Sequence, residues 1–336
     1  MWTQKLECVG WSPRAIQQFP FCLAPSTLLA YNAILRKLQD FCHSKQAAFP
    51  PVDTQIVAQF LCDIADCSSS PRSQLKVALA AMAHMFDNFG FINVCECYHI
   101  KMLVEALVKS GTKKPMHRSQ VMPIAPFREL FTRWPNNDQL SIKDLRLKTI
   151  TLMALVLMLR PSDIAPKSVQ FDVDGSHSEF VFSLNHVVFM ENEAHVTFHG
   201  IKNDTTRTGF SVVLQATNDD KLNPVKALKA YIDRTENVRP VNDPVFLTLS
   251  PPYRAIAAGT VAAIMNEAIK RAGLEGMGFS AKSFRPTGAT AAVDMHCDPD
   301  IAMKQGRWKT RSVFFEHYVH SKPPATLATS ILEEHQ

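Results

Sequence analysis

No two cysteines of this chain are spaced as a CxxC pair. The eight stand at 8, 22, 42, 62, 67, 95, 97 and 297, scattered through 336 residues. A chain of that size with no cysteine framework is not a disulfide scaffold, and the pattern fits a reducing, intracellular compartment. Long apolar runs are missing as well. The longest, 150–159, has the length of a buried helix and not of a membrane span. The N-terminus has no charged stretch followed by an apolar one, so no secretory signal is expected. There is no internal repeat and no low-complexity tract. Charge is modest: 20% of the residues are charged and the net is +5, which permits a polyanionic partner without requiring one.

What is present is the composition of a globular protein, 46% apolar, in a chain long enough for two domains. Basic residues concentrate in two places. Lys109, Lys113, Lys114, His117 and Arg118 follow one another without an acid, and Lys304, Arg307, Lys309 and Arg311 crowd a short stretch near the C-terminus. After an irregular segment, 1–20, Pro25-Ser26-Thr27 opens a helix with Leu28, Tyr31, Leu35, Leu38 and Phe41 as its apolar stripe. Asp53 caps a second helix with Val57, Phe60 and Leu61 inward. A third, carrying Leu75, Met82 and Phe86, ends at Gly90, and a fourth covers 100–108. These four make a small helical domain over 21–108, a bundle that by itself names no partner. The run 109–120, with Gly111 and Pro115, reads as a linker, and its basic charge could track phosphates.

From 121 onward the pattern is mainly α with a small antiparallel sheet, an α+β arrangement. A helix over 144–160 is expected to end in Arg160, before Pro161; a cation there suits the helix macrodipole, which is sufficient reason for an arginine. Strand signals at 180–184, 187–190, 195–201 and 209–214, with a turn at Asn203-Asp204, put Lys202 at a hairpin tip, where lysines usually face solvent. His195 and His199 share a strand face, a spacing open to a metal, although two histidines without further ligands are more often surface residues. Pro224 starts one helix and Thr260 another, which Gly273 closes.

The stretch 282–320 carries the most chemistry. Lys282, Arg285, Trp308 and Tyr318 follow in that order, with Asp298-Pro299 capping a helix between them and a last helix, 312–319, expected to present Tyr318. An arginine can fork onto two phosphate oxygens. A lysine can protonate a departing alkoxide. An indole offers one N–H, and a tyrosine can attack phosphorus and hold it as an ester. Each also has an ordinary explanation, since a Lys-x-x-Arg is common and buried Trp and Tyr are usual core residues.

Together, the strings Leu-Arg-Pro-Ser-Asp-Ile at 159–164, Lys-Ser-Phe-Arg-Pro-Thr-Gly-Ala-Thr at 282–290, Gly-Arg-Trp at 306–308 and the late Tyr318 resemble the motif boxes of the tyrosine recombinase (phage integrase) family. Ser-Thr-Leu-Leu-Ala-Tyr-Asn at 26–32 looks like the opening of that family's core-binding domain. The resemblance implies a helical DNA-binding domain over 21–108 and a catalytic domain over 121–336 with a C-terminal helix. It also implies a set of roles. Arg160 and Arg285 would bind the scissile phosphate, Lys202 on the hairpin would protonate the leaving 5′-oxygen (Arg207 being the weaker rival), Lys282 and Trp308 would support the phosphate, and Tyr318 would be the nucleophile. Asp163 stands where the family has an acid that orients the site. Three departures stand out: Pro286 and Gly288 in the second box, and ten positions from Trp308 to Tyr318, one more than the family pattern. The Gly-Arg-Trp form with lysine at 282 looks most like the recombinases of eukaryotic mobile elements of the Crypton and DIRS-like kinds.

The expectation is therefore a site-specific DNA recombinase or integrase working through a 3′-phosphotyrosyl intermediate, with no metal or other cofactor, on double-stranded DNA. It is expected to act as a homo-oligomer away from any membrane, and in the nucleus if the host is eukaryotic. The alternative is a DNA-binding protein derived from such an enzyme, with cleavage lost. A topoisomerase of type IB shares the chemistry, and a helical scaffold with no nucleic-acid partner is the plainest rival.

Overall fold

The computed structural model describes residues 10–18, 23, 25–68, 71–110, 120–171, 177–200, 204 and 208–321. Two compact units emerge: Met1–Met116 with Gln170–Ser176, and His117–Val169 with His177–Gln336. Among the described residues no helix is long and apolar enough to cross a membrane.

The first unit is helical: α1 (Pro13–Gln18), α2 (Pro25–Ser44), α3 (Thr54–Asp66), α4 (Pro71–Phe89) and α5 (Tyr98–Ser110). Helix α1 falls within the segment expected to be irregular, where the Ser12 hydroxyl accepts from Ala15 N at 3.3 Å and starts the turn. Asp53 caps α3 as expected, accepting from Gln55 N at 2.8 Å. In α2 the buried row is Ile34, Leu38 and Cys42, an i, i+4 line along the helix. Tyr31, Leu35 and Phe41 pack only on its margin, because they fall on the neighbouring rows. Val57, Phe60 and Leu61 of α3, Leu75, Met82 and Phe86 of α4, and Ile100 and Val104 of α5 join it in this core.

The second unit is built around α7 (Ile142–Val156), in which every residue from Leu145 to Leu155 is buried. Polar side chains are inside with it. Thr149 and Thr151 donate to the carbonyls four residues back, at 2.8 and 2.7 Å, and Lys148 donates to Asn137 Oδ1 at 2.8 Å. Buried polar groups need such partners. Helices α9 (Pro224–Thr235), α10 (Ala258–Arg271) and α11 (Phe284–Asp294) pack around it, and α6 (Ala125–Arg133) contributes Phe127 and Phe131 to the same core. The short helices α8 (Pro161–Ile164), α12 (Pro299–Gly306) and α13 (Arg311–His317) complete the helical set.

Strands β1 (Lys167–Phe171) and β2 (His177–Phe180) pair as a two-stranded sheet. Strands β3 (Val187–Phe189), β4 (Glu193–Phe198) and β5 (Phe210–Gln215) form a three-stranded antiparallel meander, with Val196 opposite both Val187 and Val212. Strand β4 alternates strictly, burying Ala194, Val196 and Phe198. The mainly α architecture with a small antiparallel sheet is thus present. The strand expected over 180–184 is not. Its last residue enters a 3-10 turn, Leu184–His186, in which His186 N donates to Ser183 O at 3.0 Å. The possible metal face does not form either: His195 pairs with Glu193 at 2.7 Å, while His199 packs on Phe180 and His186. Among the described residues no group of three or more His, Cys, Asp or Glu could hold a metal.

Two glycines explain how the site-bearing helices approach. A Cβ on Gly288 would lie 2.2 Å from the Leu155 carbonyl oxygen, so α11 can touch α7 only at a residue without a side chain. A Cβ on Gly306 would lie 1.7 Å from the Trp308 ring, so the indole rests directly on the backbone. Pro286 sits in the first turn of α11, where its missing N–H costs no helical bond.

Candidate active site

Helix α7 stops four residues short of Arg160. Met158 turns left-handed, at φ 52°, and Leu159 N reaches back to Ala154 O at 3.1 Å, closing a Schellman-type end. A side chain in that conformation costs roughly 1–2 kcal/mol. The reversal makes Arg160 the N-cap of α8 and not the end of α7. Its backbone N–H donates to Asp163 Oδ2 at 2.9 Å, and its Nη2 donates to the Tyr318 hydroxyl at 3.3 Å.

Arg285 comes from the first turn of α11 and is 3% exposed. Its Nη1 donates to Met158 O and its Nη2 to Gly306 O, both at 2.6 Å. The two helix ends thus supply the carbonyls that aim it. Its guanidinium lies 3.9 Å from the centre of the Trp308 ring and 5.2 Å from that of Tyr318, within cation–π range. Among the described residues its Nε finds no acceptor.

Trp308 is 8% exposed, and among the described residues its Nε1 also has no acceptor. The ring meets Phe314 and Tyr318 edge-on, each at 4.9 Å between centroids. Met158, Ala289, Ala302 and Met303 complete this apolar floor.

Tyr318 stands just beyond α13 and not within the helix expected over 312–319. Its N–H donates to Phe314 O at 3.0 Å. The Thr290 hydroxyl donates to Tyr318 O at 3.2 Å and accepts from His320 N at 3.0 Å, pinning the backbone on both sides of the ring. The ten-position interval from Trp308 is accommodated by this placement.

Charge at the site is unbalanced. Arg160, Arg285 and Arg307 converge with a single carboxylate, Asp163. Burial, then the positive charges of Arg160 and Arg307, push the Arg285 guanidinium down to about 9. Burial would raise the Tyr318 phenol, but the hydrogen bond from Arg160 and the charges of Arg160 and Arg285 outweigh it and hold the phenol below its ordinary value. Such a cluster suits an added anion and a phenolate.

Four of the six expected site residues meet: Arg160, Arg285, Trp308 and Tyr318. Lys282 is not among them: it lies in the 3-10 turn Ala281–Ser283, exposed, whereas Arg285 three positions on is buried. The two share no helix face, because the turn tightens before α11 begins. Lys202 and its rival Arg207 lie outside the described residues, as do most of the basic linker and the C-terminal helix expected over 325–334. Asp204 marks the hairpin's base, accepting from Gly200 N and Gly209 N at 3.1 and 3.2 Å.

Two residues gain a place that the sequence did not assign. Thr290 closes the second box, and its hydroxyl was the only signal. Arg307 entered as one of four crowded basic residues and as the middle letter of the Gly-Arg-Trp box, with no role of its own. It is buried and ion-paired with Asp163 at 3.2 Å, while Arg311 pairs with Asp300 on the surface.

No protein-family model and no curated protein matches the chain. Solved structures do. The XerH site-specific recombinase bound to palindromic difH substrate, a post-cleavage complex, is 14% identical, with 99% of this chain and 85% of that one covered at a TM-score of 0.61. A lambda integrase dimer bound to a COC′ core site is 13% identical, covering 96% and 98% at 0.54. The Tn1549 transposon integrase in complex with transposon right end DNA is 10% identical, covering 96% and 94% at 0.53. At these identities the likeness is one of fold.

Proposed function

We propose that the chain is a tyrosine recombinase, cleaving and rejoining DNA strands through a covalent phosphotyrosyl bond. The observation that carries the reading is the Tyr318 hydroxyl 3.3 Å from Arg160, in a site with three guanidinium groups and one carboxylate. Tyr318 loses its proton and attacks the scissile phosphorus. The bond to its oxygen forms as the bond to the 5′-oxygen breaks. Arg160 and Arg285 neutralise the non-bridging oxygens, and Trp308 offers its unpartnered N–H to one of them. Protonation of the 5′-oxygen falls to Lys202, by resemblance alone, and Lys282 lies at the second box as a further cation. Attack by another strand's 5′-hydroxyl reverses the step and releases Tyr318, so the bond energy is kept and no cofactor enters.

In this reading the helical unit over 21–108 and the basic linker over 109–120 grip the duplex, and several copies assemble on it. The Gly-Arg-Trp box and Lys282 favour a eukaryotic mobile-element origin, and with it a nuclear site of action.

The test is a nicked duplex of candidate element-end sequence, mixed with the chain and with Tyr318→Phe. A covalent protein–DNA band from the first and none from the second is expected. A band that persists in Tyr318→Phe overturns the assignment of the nucleophile. Salt-sensitive binding with no band on any element-end duplex would instead support the binding-only derivative.

A further inference from the structure

We infer that Arg307 is a positioning residue. Its guanidinium ties the turn carrying Arg160 to the turn carrying Trp308, and so sets both against Tyr318. The inference rests on the recombinase reading for its meaning but not for its test.

Arg307 lies inside the fold. Its side chain is 2% exposed and that of its partner Asp163 is 3% exposed, so it is not a surface charge waiting for a duplex. Nη2 donates to Asp163 Oδ2 at 3.2 Å, the same oxygen that accepts from Arg160 N at 2.9 Å. Nη1 donates to Leu157 O at 3.4 Å, where α7 ends, and the guanidinium lies 5.4 Å from the Phe198 ring of β4. One side chain therefore reaches the end of α7, the start of α8 and the sheet, while its own backbone carries the step from Gly306 to Trp308.

The backbone argues the same way. Arg307 is left-handed, at φ 61° and ψ 43°, in the position that closes α12. Glycine would close it without strain. An arginine there adds only its side chain, and that side chain runs inward. It does so although burial and Arg160 both act against its charge; Asp163 offsets part of that cost. A fork with two separated acceptors is what a single lysine ammonium does not supply.

The test reads the Tyr318 phenol in the DNA-free chain, by ultraviolet absorbance titration, as the difference between each protein and its Tyr318→Phe counterpart. The chain has five tyrosines, so the difference isolates one. The background variants are Arg307→Met and Asp163→Asn/Arg307→Gln. The second removes both charges, so no buried ion is left alone if the first fails to fold. Circular dichroism follows folding at each pH. With Arg307 in place the phenol should titrate below the ordinary tyrosine value. In either folded variant it should move up towards that value, because Arg160 is no longer held against it. The rate of covalent-complex formation at saturating DNA should fall about tenfold or more, as displaced catalytic groups do. An unmoved titration in a folded variant overturns the proposal. So does a chain that folds only as Arg307→Lys and titrates there as the native protein does, which would make Arg307 a stabilising residue alone. A phenol that moves with Arg307 in a chain that never forms a covalent complex would sink the recombinase reading and leave the positioning role standing.

Discussion

The Tyr318 hydroxyl and the Arg160 guanidinium, 158 positions apart, meet at 3.3 Å within one chain. Thr290 fixes the tyrosine's backbone on both sides, so the ring belongs to the pocket of its own chain. On the proposed chemistry, attack in cis is the expected outcome. Mixing Tyr318→Phe with Arg285→Ala gives one protein lacking the proposed nucleophile and one lacking a proposed phosphate ligand. With cis attack the mixture forms no more covalent complex than either variant alone. Recovery of a band on mixing would mean that one chain's tyrosine serves another chain's arginines, contrary to this geometry.

Gly288 carries a prediction about stability. Its Cα faces a backbone carbonyl, which cannot rotate away as a flexible side chain can. Gly288→Ala should therefore force α11 off α7 and destabilise the fold by about 1–3 kcal/mol, the usual cost of overpacking. Urea unfolding followed by circular dichroism measures this. Because Arg285 lies three residues earlier in the same helix, the covalent-complex rate should fall with it. A variant as stable as the parent would show that the helices separate freely.

The helical core of each unit was legible because its signals are local. Asp53 and Asp298 announce helix starts and Gly273 an end, and strand β4 alternates without a break. The four central site residues were legible as motif letters, although the roles assigned to them remain proposals. Two things were not readable. The end of α7 depends on Met158 adopting a conformation that its residue type disfavours, which no local pattern announces. The inward turn of Arg307 depends on Asp163, 144 positions away, and no local pattern announces a long-range ion pair. The departures at Pro286 and Gly288 weakened the motif match but make sense as packing: a proline in a first helical turn and a glycine against a carbonyl.

The lowered phenol gives a pH dependence with a definite sign. A group whose folded pKa is depressed binds fewer protons when folded, so it contributes stability above its unfolded value and loses it as pH falls through the folded one. The window lies below the ordinary tyrosine range, and in it the phenolate fraction grows with pH. Covalent-complex formation under single-turnover conditions should rise with pH and level off before the ordinary tyrosine value is reached. Arg160→Lys keeps a cation but loses the planar fork, and should move that limb to higher pH. A limb at the same place in both proteins would show that Arg160 does not set the phenol.

Thr290 offers the most selective substitution. Thr290→Val preserves shape and removes one hydroxyl that serves two backbone groups, the Tyr318 carbonyl and the His320 N–H. The loss in stability should be modest, about 1 kcal/mol for each net hydrogen bond forfeited. The effect on the reaction should be larger than the effect on binding. Arg160, Arg285 and Trp308 are untouched, so affinity for the duplex should hold at a fixed salt concentration. The tyrosine, freed to sample other orientations, should spend less time in line with phosphorus, and the covalent-complex rate should drop several-fold to about tenfold. Measuring both on one nicked duplex separates the effects. Equal losses in affinity and rate would assign Thr290 to the phosphate-binding surface, and an unchanged rate would mean that α13 alone holds Tyr318 in place.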